Sequence, residues 1–299
     1  MICNICPRKC NIDRSSHKGF CSEYERISIA RAALHFYEEP SISGKEGSGA
    51  VFFSGCNLKC VFCQNSDIST GRIGKEVSVE RLSDIFIELM EQGANNINLV
   101  TPSHYIYPIK EALIIAKNKG LDIPVVYNTS AYELPETLAV LEGLVDIYLP
   151  DFKYMDNTLA KNYSGVTDYS YHAKRAIAEM FRQTGPNVFD ERGMMKKGII
   201  VRHLLLPLGV KNAKQVVSYI HETYGDDVYL SIMNQYTPVG SDSLKKAGEK
   251  YPELLRKVTK REYDRLLDYV FSLNIVNAYF QEGETAEESF IPAFDYTGV

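Results

Sequence analysis

From Ala50 onward the chain alternates short apolar runs with stretches of helical period. The apolar runs fall at 50–55 (AVFFSG), 97–101 (INLVT), 123–129 (IPVVYNT), 145–152 (VDIYLPDF), 198–207 (GIIVRHLLLP) and 227–233 (DVYLSIM). Helical stretches follow them in turn, near 78–92, 105–119, 134–142, 168–184, 211–224 and 259–273. In the first of these, Val79, Leu82, Ile85, Phe86, Leu89 and Met90 form a 3.6-period stripe, and Ser78 stands where an N-cap belongs. The strand runs are apolar on both faces, as parallel strands covered by helices require. The pattern predicts an α/β fold: a partial (βα)6 TIM-like barrel, two units short of a closed one, or an open doubly wound sheet. Either way, functional groups belong at the carboxyl ends of the strands.

This core spans residues 50–281. In front of it, 1–49 form a cysteine-rich segment that ends in the loop-like SISGKEGSG; behind it, 282–299 read as an acidic tail whose aromatics pack on the surface. With 45% hydrophobic and 24% charged residues, the composition is that of a soluble globular protein. A net charge of −5 gives no pull toward nucleic acid or anionic membrane. No apolar run reaches the ~18 residues of a membrane span, and MICNICPRKC lacks a signal peptide's apolar region, so a cytoplasmic location is expected.

The cysteines change the picture. All seven lie within the first 63 residues, in an odd number and in tight clusters, which suits metal or iron–sulfur ligation better than disulfides. Cys3, Cys6, Cys10 and Cys21 read C-x2-C-x3-C-x10-C in a segment too poor in large apolar residues to fold without a staple. Four thiolates fit a closed tetrahedral zinc and an auxiliary iron–sulfur cluster equally well. His17 and His35 are nearby candidate ligands that a complete cysteine set does not need. Cys56, Cys60 and Cys63 read C-x3-C-x2-C directly after the first strand of the repeat, with no cysteine downstream. Three thiolates from one loop leave a coordination position for something else.

The other strand ends carry Thr101-Pro102-Ser103-His104, Asn128-Thr129-Ser130, Asp151-Phe152-Lys153, Arg202-His203 and Asn234-Gln235-Tyr236-Thr237-Pro238. Taken singly, each reads as a turn, surface or satisfied core residue; their shared rim gives them weight as a set. No glycine-rich nucleotide loop is present.

GCNLKCVFCQN (55–65) and LPDFKYMDNTLAKNYSGV (149–166) resemble the radical S-adenosylmethionine (SAM) superfamily, and within it the activating enzymes of pyruvate formate-lyase, in a branch with extra cysteines in front. The resemblance implies a [4Fe–4S] cluster on Cys56, Cys60 and Cys63 with SAM on its fourth iron. It further implies reductive SAM cleavage to a 5′-deoxyadenosyl radical, and hydrogen abstraction from a substrate such as a glycyl radical enzyme. A one-electron donor such as flavodoxin or ferredoxin would be a partner. Phe62 would lie against the adenine, Lys153 would pair with SAM's carboxylate, and Asp151 would fix the neighbouring polar network. Arg202 and His203 match a V-R-[HY] segment in which the histidine reaches SAM or substrate. Asn128 stands where the activases have an aspartate. Thr101 to His104 replace the family's Gly-Gly-Glu grip on SAM's amino group, with Thr101 and Ser103 as substitute acceptors and His104 within reach of substrate. The rival readings are a radical SAM enzyme acting on a small molecule or peptide, and a non-catalytic zinc or iron–sulfur protein.

Overall fold

The computed structural model describes residues 2–238, 240–281 and 292–299. The chain runs β1 (Ser28–His35), α1 (Pro40–Ser43), β2 (Ser48–Phe53), α2 (Ser66–Ser69), β3 (Lys75–Glu76), α3 (Val79–Glu91), β4 (Ile97–Val100) and α4 (Ile106–Asn118). Next come β5 (Val125–Thr129), α5 (Pro135–Leu138), β6 (Ile147–Pro150), α6 (Asn157–Ser164), α7 (Tyr169–Thr184) and β7 (Val188–Phe189). The last elements are β8 (Met195–Leu204), α8 (Val210–Tyr224), β9 (Tyr229–Met233), α9 (Asp242–Gly248), α10 (Lys260–Ser272) and β10 (Ala278–Phe280).

All six anticipated strands are present as β2, β4, β5, β6, β8 and β9, paired parallel in that order. The count expected from sequence is nevertheless one short, because β10 adds a further parallel strand beyond β9. At the other end β1 pairs antiparallel with β2, and β3 with β1, so the sheet runs β10-β9-β8-β6-β5-β4-β2-β1-β3. Residues 28–35, counted by sequence with the cysteine-rich segment, are therefore part of the sheet. Within SISGKEGSG, Ser41–Ser43 belong to α1 and Ser48 opens β2, so only its middle is loop.

Strand alternation decides between barrel and doubly wound sheet. Val51, Leu99, Tyr127, Tyr148, Val201 and Ile232 pack in one continuous core with the apolar stripes of α3, α4, α7, α8 and α10. Their neighbours on the opposite face form separate, smaller clusters: Val126, Ile147, Leu149 and Ile200 with Ile42 of α1, and Ala50, Phe52 and Val100 with Ile68 of α2. The long helices thus cover one face, and the other is an interior plugged by short helices, which is the construction of a partial barrel. Ser78 caps α3 by accepting the Arg81 N–H at 3.1 Å, as its sequence position requires.

Of the tail at 282–299, residues 282–291 lie outside the described residues, and 292–299 lie along β1. Ala32 N–H donates to Thr297 O at 2.8 Å, Tyr296 N–H donates to Ala30 O at 3.0 Å, and Phe294 packs edge-on against Phe52. Among the described residues no helix is long and apolar enough to cross a membrane.

Candidate active site

Gly55, two residues past β2, has φ +85, a left-handed conformation that glycine adopts without strain. The turn brings Cys56, Cys60 and Cys63 to one wall of a cavity of about 530 Å³ above the carboxyl ends of the strands. All three are free thiols. Burial pushes the Cys56 thiol up to about 12, and the nearby Cys60 and Cys63 add to the shift. Burial likewise raises Cys60, against the pull of the Lys153 ammonium. Three thiols that sense one another and face a cavity of this size form a donor set suited to a cluster with one iron turned to a ligand. Among the described residues no three His, Cys, Asp or Glu side chains converge on a single metal ion. A cubane differs from a lone ion in taking each thiolate on a separate iron.

A polar ring, only part of which was legible in the sequence, lines the same cavity. Lys153 Nζ lies 2.7 Å from Asp151 Oδ2, and Asp151 Oδ1 accepts from Arg202 Nε at 2.8 Å. Arg202 Nη1 reaches Glu38 at 2.9 Å and Nη2 donates to Asn128 Oδ1 at 2.7 Å; Asn128 Nδ2 in turn donates to Glu38 at 3.1 Å. Burial resists the Asp151 charge, but Arg202 and Lys153 outweigh it and hold the carboxyl below its usual range. Burial also opposes the Lys153 charge, and Asp151 and Cys60 overcome it, so the ammonium ends above its usual range. The lysine is a fixed cation on the cavity wall, close to Cys60.

Thr101, Asn128, Asp151, Lys153 and Arg202 line the cavity, and so does Phe62, which packs edge-on against Tyr236 with ring centroids 6.0 Å apart. Three residues stand elsewhere. His203 lies on the helix-covered face, because alternation along β8 sends it away when Arg202 points in. Its Nδ1 pairs with Phe152 O at 2.7 Å, and burial drops its pKa to about 4, so it is a neutral core histidine. His104 is buried beneath Gly55 with Nε2 2.6 Å from Ser54 O, and burial drops it to about 3. Ser103, also buried, donates to Glu133 rather than facing the cavity. Glu133, three residues past the turn after β5, also accepts from Thr129 at 2.5 Å, and burial raises its carboxyl to about 7. Its Oε2 has no partner among the described residues.

The β1–α1 connection brings His35, Phe36, Tyr37 and Glu38 to the cavity, so His35 faces it in the company of Phe52 and Tyr37 rather than standing by as a spare metal ligand. His17 is exposed and pairs with Ser16. The front cysteines are electrostatically coupled, although no three of them converge on a single metal ion: Cys6 senses Cys10 and Cys21, and Cys21 senses Cys3 and Cys10, with burial pushing Cys6 up to about 12. They sit against the trio's loop, since Cys56 N–H donates to Cys21 O at 3.2 Å and Arg8 Nε to Asn57 O at 2.8 Å. Glu38, Glu133 and Tyr37 carried no sequence signal; Tyr236 lay in a strand-end run that the sequence did flag.

The family model of the radical SAM superfamily matches residues 50–197, which span β2 to β8 and the whole cysteine trio. "Uncharacterized protein MJ0674" of Methanocaldococcus jannaschii is 28% identical over 284 residues, covering 91% of this chain and 75% of that protein. Streptococcus suis SuiB has the same fold. Its structure bound to S-adenosylmethionine gives a TM-score of 0.52 at 18% identity, covering 76% of this chain and 48% of SuiB. Its structure bound to precursor peptide SuiA gives 0.50 at 16% identity, covering 76% and 46%. The chain thus spans less than half the length of SuiB. With the trio at the mouth of a one-sided parallel barrel and the family match lying across it, residues 50–197 are a radical SAM superfamily domain.

Proposed function

We propose that the chain is a radical SAM enzyme that abstracts hydrogen from a polypeptide substrate, in the manner of the pyruvate formate-lyase activases. The observation that carries this reading is the trio of free thiols lining the same cavity as a fixed ammonium, Lys153, held by Asp151. Bound there, a [4Fe–4S] cluster and SAM would supply reductive cleavage to a 5′-deoxyadenosyl radical and methionine. The protein's part is to hold and to shield. Cys56, Cys60 and Cys63 hold the cluster, and Lys153 attracts the carboxylate of SAM. Phe62, braced by Tyr236, offers a ring face to the adenine. Thr101 and Asn128 offer polar atoms where the family's usual carboxylate is missing. Leu58, Leu204 and Met233 give the same cavity an apolar lining that limits water.

Support for a polypeptide substrate comes from the aromatic rim of Phe36 and Tyr37, both exposed, and from the peptide-bound SuiB relative. A glycine of a glycyl radical enzyme is the activase-type target, and a flavodoxin or ferredoxin the one-electron donor. The front quartet, its thiols electrostatically coupled and its segment packed on the trio's loop, is proposed to hold zinc or an auxiliary cluster.

Anaerobic reconstitution with iron and sulfide, then dithionite and SAM, is expected to accumulate 5′-deoxyadenosine. Equal accumulation by a Cys60→Ala control would end the radical reading. Deuterium transfer from a Cα-deuterated glycyl peptide into 5′-deoxyadenosine would support the polypeptide target; its absence beside normal SAM cleavage would remove that part.

A further inference from the structure

We infer that Ser164 is a positioning residue that sets the reduction potential of the cluster, by donating a hydrogen bond to one of its thiolates. Its hydroxyl lies 3.0 Å from Cys60 Sγ, and Tyr154 OH lies 2.8 Å from the same hydroxyl. Ser164 and Tyr154 are both fully buried, so water does not compete for either bond. The inference rests on the cysteine trio being the cluster's ligands.

The contact is built by the fold. Ser164 is the last residue of α6, and Gly165 closes the helix in the left-handed conformation at φ 68, returning its N–H to Lys161 O. One residue earlier, Tyr163 O accepts the Val61 N–H at 2.9 Å, so the helix end and the ligand loop are joined by backbone beside the hydroxyl contact. From the other side Arg8 donates to Gly165 O at 3.0 Å.

Proton counting fixes the direction. A ligated thiolate has no proton and can only accept. The single Ser164 proton therefore points at Cys60, and the Tyr154 proton points at the serine oxygen, forming an ordered relay of two hydroxyls ending on sulfur. Such a donor stabilises whichever state carries more negative charge on the sulfur, so it favours the cluster after it has taken up one electron and raises the potential. No atom moves in that step: the electron comes from the external donor, and the hydroxyl keeps its proton. Cys56 Sγ, by contrast, takes its bond from the backbone Leu58 N–H at 3.4 Å, which no side-chain change removes. The Cys60 contact is the one that substitution can switch off.

The test is an EPR-monitored redox titration of the anaerobically reconstituted full chain, with iron and sulfide content measured alongside. Ser164→Ala is expected to keep its iron and lower the reduced fraction at fixed potential about tenfold, a charge-assisted bond's worth, or about 59 mV for a one-electron couple. Tyr154→Phe leaves the serine in place and weakens the relay, so it is expected to move the potential the same way by less. Ser164→Thr, which keeps a hydroxyl, should lie near wild type. An Ala variant with full iron and an unchanged potential would overturn the inference, and so would an unchanged Tyr154→Phe if the Ala variant loses iron. A wild-type chain that assembles no cluster would instead refute the cluster reading itself, a separate outcome.

Discussion

Arg202 carries more of the site than its place on a strand reveals. It answers two largely buried carboxylates, Asp151 at 22% and Glu38 at 10% side-chain exposure, and one amide, Asn128. Removing it strands both acids in a desolvated wall, so Arg202→Met is expected to cost about 3–5 kcal/mol of stability. Lys153→Met leaves the Arg202–Asp151 pair whole. It should destabilise far less while weakening SAM binding to the reconstituted protein. Urea titrations and calorimetric SAM binding on both variants separate the roles, and equal stability losses would contradict the assignment. Glu133 gives a pH signature. Burial raises its carboxyl from 4.5 to about 7, so the folded state holds the proton more tightly than the unfolded chain does. Its contribution is full below the ordinary value and is lost as pH rises through about 7, a change of about 3 kcal/mol at 1.36 kcal/mol per unit. Stability should therefore fall between about pH 4.5 and pH 7, and Glu133→Gln should flatten that fall; parallel curves for the two proteins would count against it.

At the scale of elements, what could be read from sequence was what local pattern specifies. The stripe of α3 and the doubly apolar runs of the parallel strands name themselves because each buries a face whose period is written in the residues. β1 does not. Its SIARAALH is rich in Ala, Leu and Arg, good helix formers, and becomes a strand because β2 on one side and Tyr296 and Thr297 on the other complete its hydrogen bonds. Misreading β1 hid the cavity residues that follow it, Phe36 to Glu38. Similarly, His203 looked functional beside Arg202, and only the register of β8 against its neighbours shows which of the two faces inward. The turn after β2 tests the element scale directly. A Cβ on Gly55 would lie 2.5 Å from Glu23 Cγ and 2.6 Å from Cys21 O, on top of a positive φ. Gly93, at φ +89, has open space around it. Gly93→Ala should cost about 1 kcal/mol of backbone strain alone, whereas Gly55→Ala should cost several times that and reduce iron bound per chain. Equal thermal shifts in the two variants would show that the close approach is unimportant.

Across the whole molecule, the front segment and the barrel are joined where the loop of Cys56, Cys60 and Cys63 lies. Arg14, 2% exposed, donates to the carbonyls of Glu23, Tyr24 and His104, tying the segment to itself and to the floor of the cavity. Arg8 bonds Asn57 O on one side of the ligand loop and Gly165 O on the other, while Lys59 Nζ reaches Ser22 Oγ at 3.1 Å. A segment this short holds that shape only if something closes it, and its buried thiols are the groups available to do so. Emptying the front site should therefore loosen the trio's loop, whereas emptying the trio should leave the front intact, since the front cysteines sense one another without it. In a Cys3→Ser, Cys6→Ser variant, amide hydrogen exchange across residues 54–63 is expected to accelerate at least tenfold, the equivalent of about 1.4 kcal/mol of local stability, while exchange in α8 and α10 stays as in wild type. In a Cys56→Ala, Cys60→Ala, Cys63→Ala variant, one centre per chain should survive, with zinc alone marking a structural ion and iron with sulfide marking a second cluster. If exchange over 54–63 is indifferent to the front cysteines, the quartet is a neighbour of the site and not its support.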